Sequence, residues 1–319
     1  MQISRSNSQL ETDASWKRGR LSRQKIEQTI FILVVLVPMA IIFLLFWIYP
    51  MIGGIWGSFT LWRAFNPNQP FVGLRQYQLL FNDPIFLTAF KNTFYYALLY
   101  LPTGIVLALI FALAIEATGV LRGAFRMIYF IPVVTSTIAT ALIWQWLYQP
   151  SFGLFNQILE LLGLPAQSFL KSTSQALPSI VLYALWKNVG FNMVLFIAGL
   201  TSINSTYYDA AKVDGANRWQ TFWRITLPLL QPTLVFVLIT GVIGTLQVFG
   251  PVYVMSSTGG DALPGGPANS TMVVSVYQWL VAFRELELGY GSAMGVILFV
   301  IILALTLAQV RFLRTRWEY

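Results

Sequence analysis

The chain has 319 residues, of which 56% are hydrophobic and only 10% charged, with a net charge of +8 and neither cysteine nor histidine. A soluble domain carries roughly 25% charged residues, so this chain is solvated mainly by lipid. The two missing residue types exclude disulfides, thiolate nucleophiles, imidazole bases and the usual soft-metal sites, so no catalytic residue and no metal site is expected here.

In chain order, residues 1–28 are polar and basic and are expected to form a cytoplasmic tail. The apolar run that follows is too long, and ends in residues too bulky, for a cleavable signal peptide. It is expected to be an uncleaved first span. A spanning helix needs about 20 mainly apolar residues, and six candidates meet that: Thr29–Trp56, Phe86–Ile115, Ala124–Tyr148, Pro178–Ile203, Thr233–Met255 and Gly291–Val310. Interior prolines (Pro38, Pro50, Pro102, Pro132 and Pro251) are tolerated in such spans because neighbouring helices satisfy the freed carbonyls.

Orientation follows from lysine and arginine. Arg5, Lys17, Arg18, Arg20, Arg23, Lys25, Arg122, Arg126, Lys212, Arg218, Arg224, Arg311, Arg314 and Arg316 make fourteen of the twenty basic residues, all on one side of a six-span arrangement. The other side, together with the spans, holds Arg63, Arg75, Lys91, Lys171, Lys187 and Arg284. That distribution predicts cytoplasmic termini and argues against nucleic acid as partner. Lys187, read near the outer end of its span, is expected to snorkel to headgroups rather than to attract an anionic solute. Buried polar groups in spans mark solute pathways or interhelical bonds. The candidates are Thr137, Thr140, Trp144 and Gln145 in the third span, Asn188, Gly190 and Asn192 in the fourth, and Thr245, Gln247, Phe249 and Tyr253 in the fifth. Trp144, Trp146 and Tyr148 fit an interfacial aromatic belt equally well.

The loop 204–231 is the most specified part of the chain. Thr206 to Asp209 fits a capping box that opens a short helix running to about Val213, with Asp209 as part of the cap. Gly215 stands where a left-handed terminator is needed. Asn217 and Gln220 open a second helix, in which Trp219, Phe222, Trp223 and Thr226 recur on one apolar face. Leu227-Pro228 ends it, and Pro232 starts the next span. Small residues (Ala210, Ala211, Gly215, Ala216) permit close approach by the groove of another protein; a hairpin packed on its own bundle is the simpler alternative.

The segment D-A-A-x-x-D-G-A-x-x-x-x-x-F-x-x-I-x-L-P, Asp209 to Pro228, resembles the coupling motif of binding-protein-dependent ABC transporter permeases. Phe71-Val-Gly-Leu-Arg-Gln-Tyr-Gln-Leu-Leu-Phe81, Asp83-Pro84, Asn92-Thr93, Phe125-Arg126, Ile131-Pro132, Trp144 and Gly153-Leu-Phe-Asn156 are similar to the carbohydrate-uptake branch, the maltose and glycerol-phosphate permease type. Two departures are Asp209, where the family usually has Glu, and Gly250, where many relatives have Asp. The resemblance covers nearly all of residues 30–319 and implies an all-α, six-span, type I importer permease fold over 29–319, in a bacterial inner membrane. It implies a second homologous permease, two cytoplasmic ATPase subunits and an extracytoplasmic solute-binding protein as partners. It also implies a motor-coupling role for Asp209, Ala210, Ala211, Asp214, Gly215 and Pro228, and a solute path through Asn188, Asn192, Gln247, Phe249 and Tyr253.

No phosphate-gripping G-x-x-x-x-G-K-[ST] loop occurs, so ATP and Mg²⁺ are expected on a partner chain and none as a cofactor of this one. The expected solute is a sugar or sugar-like molecule: a mono- or oligosaccharide, a polyol or a glycosyl-glycerol osmolyte. An ion-coupled secondary transporter is the principal alternative, but it calls for acids inside the spans; Glu116, Glu160, Asp261, Glu285 and Glu287 lie at ends or in loops. A membrane enzyme built on Glu285 and Glu287 is weaker still, since two acids on one loop are most simply a solvated edge.

Overall fold

The structure is a computed structural model that describes residues 28–257 and 263–313. The basic tail, Asp261 and the terminal Arg314 and Arg316 lie outside the described residues. The chain divides into two compact units, residues 1–56 and 57–319. Helix α1, Gln28–Gly57, is long and apolar enough to cross a membrane. It slips into a π-turn at Leu44–Ile48, where the Tyr49 N–H reaches back to the Leu44 carbonyl. That extra residue per turn sits directly before Pro50, which has no N–H to donate.

In the second unit the helices in order are α2 (Arg75–Phe81), α3 (Pro84–Glu116), α4 (Arg122–Val134), α5 (Thr137–Leu147), α6 (Leu154–Leu161) and α7 (Ala176–Ser202). They continue as α8 (Ser205–Val213), α9 (Arg218–Leu229), α10 (Gln231–Leu246), α11 (Gly250–Ser256), α12 (Val274–Trp279) and α13 (Leu288–Leu313). Among the described residues the only β-pairing is an isolated bridge, Thr60 with Phe71. Helix dominates because a backbone in hydrocarbon must satisfy its own N–H and C=O groups.

Helices α1, α3, α7 and α13 are long and apolar enough to be continuous spans, α4 and α5 make a further span bent by 94°, and α10 makes another, entered from α9 at 64°. The fold is therefore the expected all-helical one with six spans, with two corrections. The third span is broken at Thr135–Ser136, where Thr135 leaves the helix and Ser136 caps α5. The fifth does not run from 233 to 255; α10 stops at Leu246, Phe249 is non-helical, and α11 restarts at Gly250 with Pro251 in its first turn. Pro102, by contrast, lies inside an unbroken α3.

Close helix crossings use small residues, as membrane bundles require. Helix α7 is the central element and packs against both α3 and α4. Ala108 and Ala112 of α3 are fully buried. A Cβ on Gly190 of α7 would fall inside van der Waals distance of the Tyr129 carbonyl oxygen on α4, and one on Gly199 would collide with Thr233. Gly190 is thus a packing residue at the α7–α4 crossing. Overpacking a core costs roughly 1–3 kcal/mol, and here the obstacle is backbone. Gly190→Ala should therefore lower the melting temperature of the purified protein in detergent by several degrees, checked by a fluorescence-monitored thermal ramp.

At the end of the bundle formed by α2, α6 and α12, polar staples add to the hydrophobic packing. The Asp83 carboxylate caps α3 through the Ile85 and Phe86 amides at 2.8 and 3.2 Å. It also accepts the hydroxyls of Tyr277 at 2.6 Å and Tyr290 at 2.9 Å. Burial pushes this carboxyl upward, but the four hydrogen bonds outweigh it and hold it below the ordinary carboxylate value. Arg63 pairs with Glu287 at 2.8 Å, so that one of the two loop acids, Glu287, is held in a salt bridge. Asn156 donates to the Pro150 and Gln167 carbonyls and accepts the Gln167 N–H, closing the 149–167 loop.

Candidate functional site

A cavity of about 380 Å³ lies mid-bundle, between α3, α5, α7, α10 and the break before α11. Its polar lining includes Asn188 and Asn192 of α7, Thr137 of α5, and Thr240 and Thr245 of α10, with Phe249 at the break. No aspartate or glutamate lines it. Asn188 donates to the Ala184 carbonyl one turn back at 3.0 Å, while the half-buried Asn192 amide has no protein partner among the described residues. The structure thus brings together Asn188, Asn192 and Phe249. Gln247 is exposed at the end of α10, and Tyr253 stacks on Phe249 with centroids 5.2 Å apart, edge-on to Trp279; neither lines the cavity.

Among the lining residues that were not expected, Tyr96 and Tyr100 of α3 stack in parallel with centroids 5.9 Å apart and face the cavity. Their four-residue spacing in an apolar run places both on one helical face. That is the signal in the sequence that marks them, and the second span held no other candidate.

Lys187 corrects a second expectation. It sits in the middle of α7, is 4% exposed, and does not snorkel. Its ammonium donates to the carbonyls of Pro132 and Thr135, and lies within reach of the Thr135 hydroxyl at 3.2 Å. Those carbonyls lose their helical partners at the 94° bend, so a cationic side chain takes the place of the missing N–H groups. Trp144 and Tyr148 are likewise core, not belt: Trp144 packs on Tyr148, Phe155, Tyr183 and Trp186 at centroid distances of 5.3–5.6 Å. Trp146 alone of the three is exposed.

At the opposite end, α8 and α9 form an exposed hairpin. The N-cap of α8 is Asn204, whose side chain accepts the Thr206 N–H, and not Thr206 itself. Asp209 lies mid-helix and is not a cap; its carboxylate pairs with Lys212 at 2.9 Å, in solvent. Ala211 is buried, whereas Ala210 and Asp214 are exposed. Helix α8 ends in a Schellman motif: Ala216 N–H to Ala211 O at 2.9 Å and Gly215 N–H to Lys212 O at 3.1 Å, with Gly215 at φ +73°. The capping box of Asn217 and Gln220 is reciprocal, both bonds 2.9 Å. Pro228 does not end α9; the helix passes through a π-turn at Phe222–Thr226, continues to Leu229 and bends into α10 at Leu230. Of the predicted apolar face only Thr226 is buried, while Trp219 and Trp223 stack edge-on in the open, their centroids 5.5 Å apart.

Six spans, a polar cavity inside the second unit and an exposed hairpin between two of its spans are features of an importer permease. A family described as the binding-protein-dependent transport system inner membrane component matches residues 104–318, and the chain belongs to it; it is a multi-pass permease of the ABC transporter class. Among individual relatives, the trehalose/maltose transport system permease protein MalF of Thermococcus litoralis is 34% identical over 284 residues, covering 88% of this chain and 92% of that one. The diacetylchitobiose uptake system permease protein NgcF of Streptomyces coelicolor is 36% identical, covering 88% and 82%. A chain of the bacterial ABC transporter involved in import of the acidic polysaccharide alginate superposes with a TM-score of 0.79 at 27% identity, covering 92% of this chain and 99% of that one.

Proposed function

We propose that this chain forms half of the translocation path of an ABC importer for a saccharide or sugar-like solute, including polyols and glycosyl-glycerols. The observation that carries this reading is the mid-bundle cavity. Its amides and hydroxyls match sugar hydroxyls, its aromatic faces match sugar C–H faces, and it holds no carboxylate for ion coupling. The names of the relatives, trehalose/maltose and diacetylchitobiose among them, support the same class. In this reading the α8–α9 end is cytoplasmic, as are both termini, and the α2–α6–α12 end faces outward. Asp209, Ala210, Ala211, Asp214 and Gly215 present the surface that docks into an ATPase subunit, and α9, through Pro228, carries its movement into α10. ATP and Mg²⁺ belong to two such ATPase subunits; a homologous permease and an external solute-binding protein complete the assembly.

The test is reconstitution of the whole assembly in proteoliposomes, with ATP hydrolysis followed across a saccharide panel. One saccharide should stimulate hydrolysis and accumulate inside. Asn192→Ala should raise its half-saturating concentration by about 2–10-fold, the worth of one hydrogen bond. Uptake driven by an ion gradient without the ATPase would defeat the proposal.

A further inference from the structure

A second cavity, of about 560 Å³, opens at the far ends of α5 and α11, at the α2–α6–α12 end of the bundle. It is distinct from the mid-bundle cavity but built on the same two helices. Thr137 at the start of α5 lines the inner cavity; Gln145 and Trp146, more than two turns further along, line this one. The two therefore lie roughly 12 Å apart along α5 at 1.5 Å per residue. Gln145 ties the helices together between them, its amide donating to the Val254 carbonyl at 2.6 Å and to that of Ser257 at 3.3 Å.

Three groups facing this outer cavity have no hydrogen-bond or ion-pair partner among the described residues: the indole of Trp146, the side-chain amide of Gln149 and the ammonium of Lys171. Trp146 is 69% exposed and Gln149 is half-buried. An open aromatic face beside an amide and an ammonium suits a pyranose or furanose ring, whose C–H face stacks while its hydroxyls accept and donate. A volume of this size lies within the usual range of small-molecule sites, about 300–1,000 Å³.

We infer that this outer cavity is a second saccharide subsite, in series with the mid-bundle cavity, which holds one sugar unit at the mouth of the path before it passes between α5 and α11. The inference rests on the saccharide-importer reading.

Because the chain has no cysteine, Ser257→Cys supplies a single reporter thiol at the cavity wall. The assembled transporter in nanodiscs, without its solute-binding protein, is treated with a maleimide in the presence of maltose, trehalose or diacetylchitobiose. Labelling of this chain is read by mass spectrometry, and ATP hydrolysis of the complete assembly is measured with the same sugars. A saccharide that stimulates hydrolysis should protect the introduced thiol. Protection should need about tenfold more sugar in Trp146→Ala and be lost in Gln149→Trp, which fills the cavity, while Asn192→Ala leaves it intact. Stimulation without protection, protection that survives both outer variants, or protection given only by the solute-binding protein would each overturn the outer subsite and leave the importer reading standing. If nothing in a panel widened to monosaccharides, polyols and glycosyl-glycerols stimulates hydrolysis or protects the thiol, both readings fall.

Discussion

Gly215→Arg is expected to abolish solute-stimulated ATP hydrolysis in the reconstituted transporter while the subunit still inserts and spans the membrane. The residue sits at φ +73° and its missing Cβ would meet nothing within 4 Å, so the effect is conformational and not a clash with this chain. A side chain in the left-handed region costs roughly 1–2 kcal/mol, which distorts the Schellman turn and re-aims α8. The long cationic arm also stands at the tip of the surface proposed to enter the ATPase. Gly215→Asn separates the two effects, because asparagine tolerates this backbone. It should retain most of the coupling, and equal failure of both variants, with the ATPase still bound, would remove the docking argument.

Lys187→Met should be nearly as damaging, for the opposite reason. Methionine fills the space, but the Thr135 carbonyl loses the donor that replaces its helical bond, and the Pro132 carbonyl keeps only the Thr135 hydroxyl at 2.6 Å. A stranded buried acceptor costs roughly 1–3 kcal/mol, and the apolar side chain has nothing to donate. The expected result is a melting temperature lower by several degrees together with a loss of transport, since the bend positions Thr137 on the cavity wall. Lys187→Arg keeps the charge and the donors and should recover a measurable part of both. A Lys187→Met protein as stable and as active as the parent would show that the bend holds without its cation.

The spans are legible in the sequence because length and apolarity are local properties. Gly215 and the Asn217–Gln220 box are legible too, because a terminator and a reciprocal cap are written in adjacent residues. The breaks at Thr135–Ser136 and Leu246–Gly250 are not. The residues on both sides are equally apolar, and the first bend is fixed by Lys187, some fifty positions away. Lys187 itself is opaque for that reason: its partners are carbonyls that become available only once the bend exists. The N-cap of α8 falls on Asn204 rather than Thr206 because the preceding span stops at Ser202, and hydrophobic periodicity does not set that boundary. Of the mid-bundle cavity, Asn188, Asn192 and Phe249 are visible as polar or aromatic interruptions. Gln247 differs from expectation because helix α10 ends there and turns it outward, and the stacked tyrosines of α3 read in sequence as ordinary interior aromatics.

The bonds around Asp83 have a mechanical consequence. Tyr290 lies near the start of α13 and Asp83 caps α3, and the Arg63–Glu287 bridge fastens the chain immediately before α13 to the segment ahead of α2. The second and sixth membrane crossings are thus yoked at one extremity and must travel as a pair. Across the same extremity α5 and α11 are joined by the neutral amide of Gln145, not by a carboxylate, so the two pairs of helices are fastened by different chemistry.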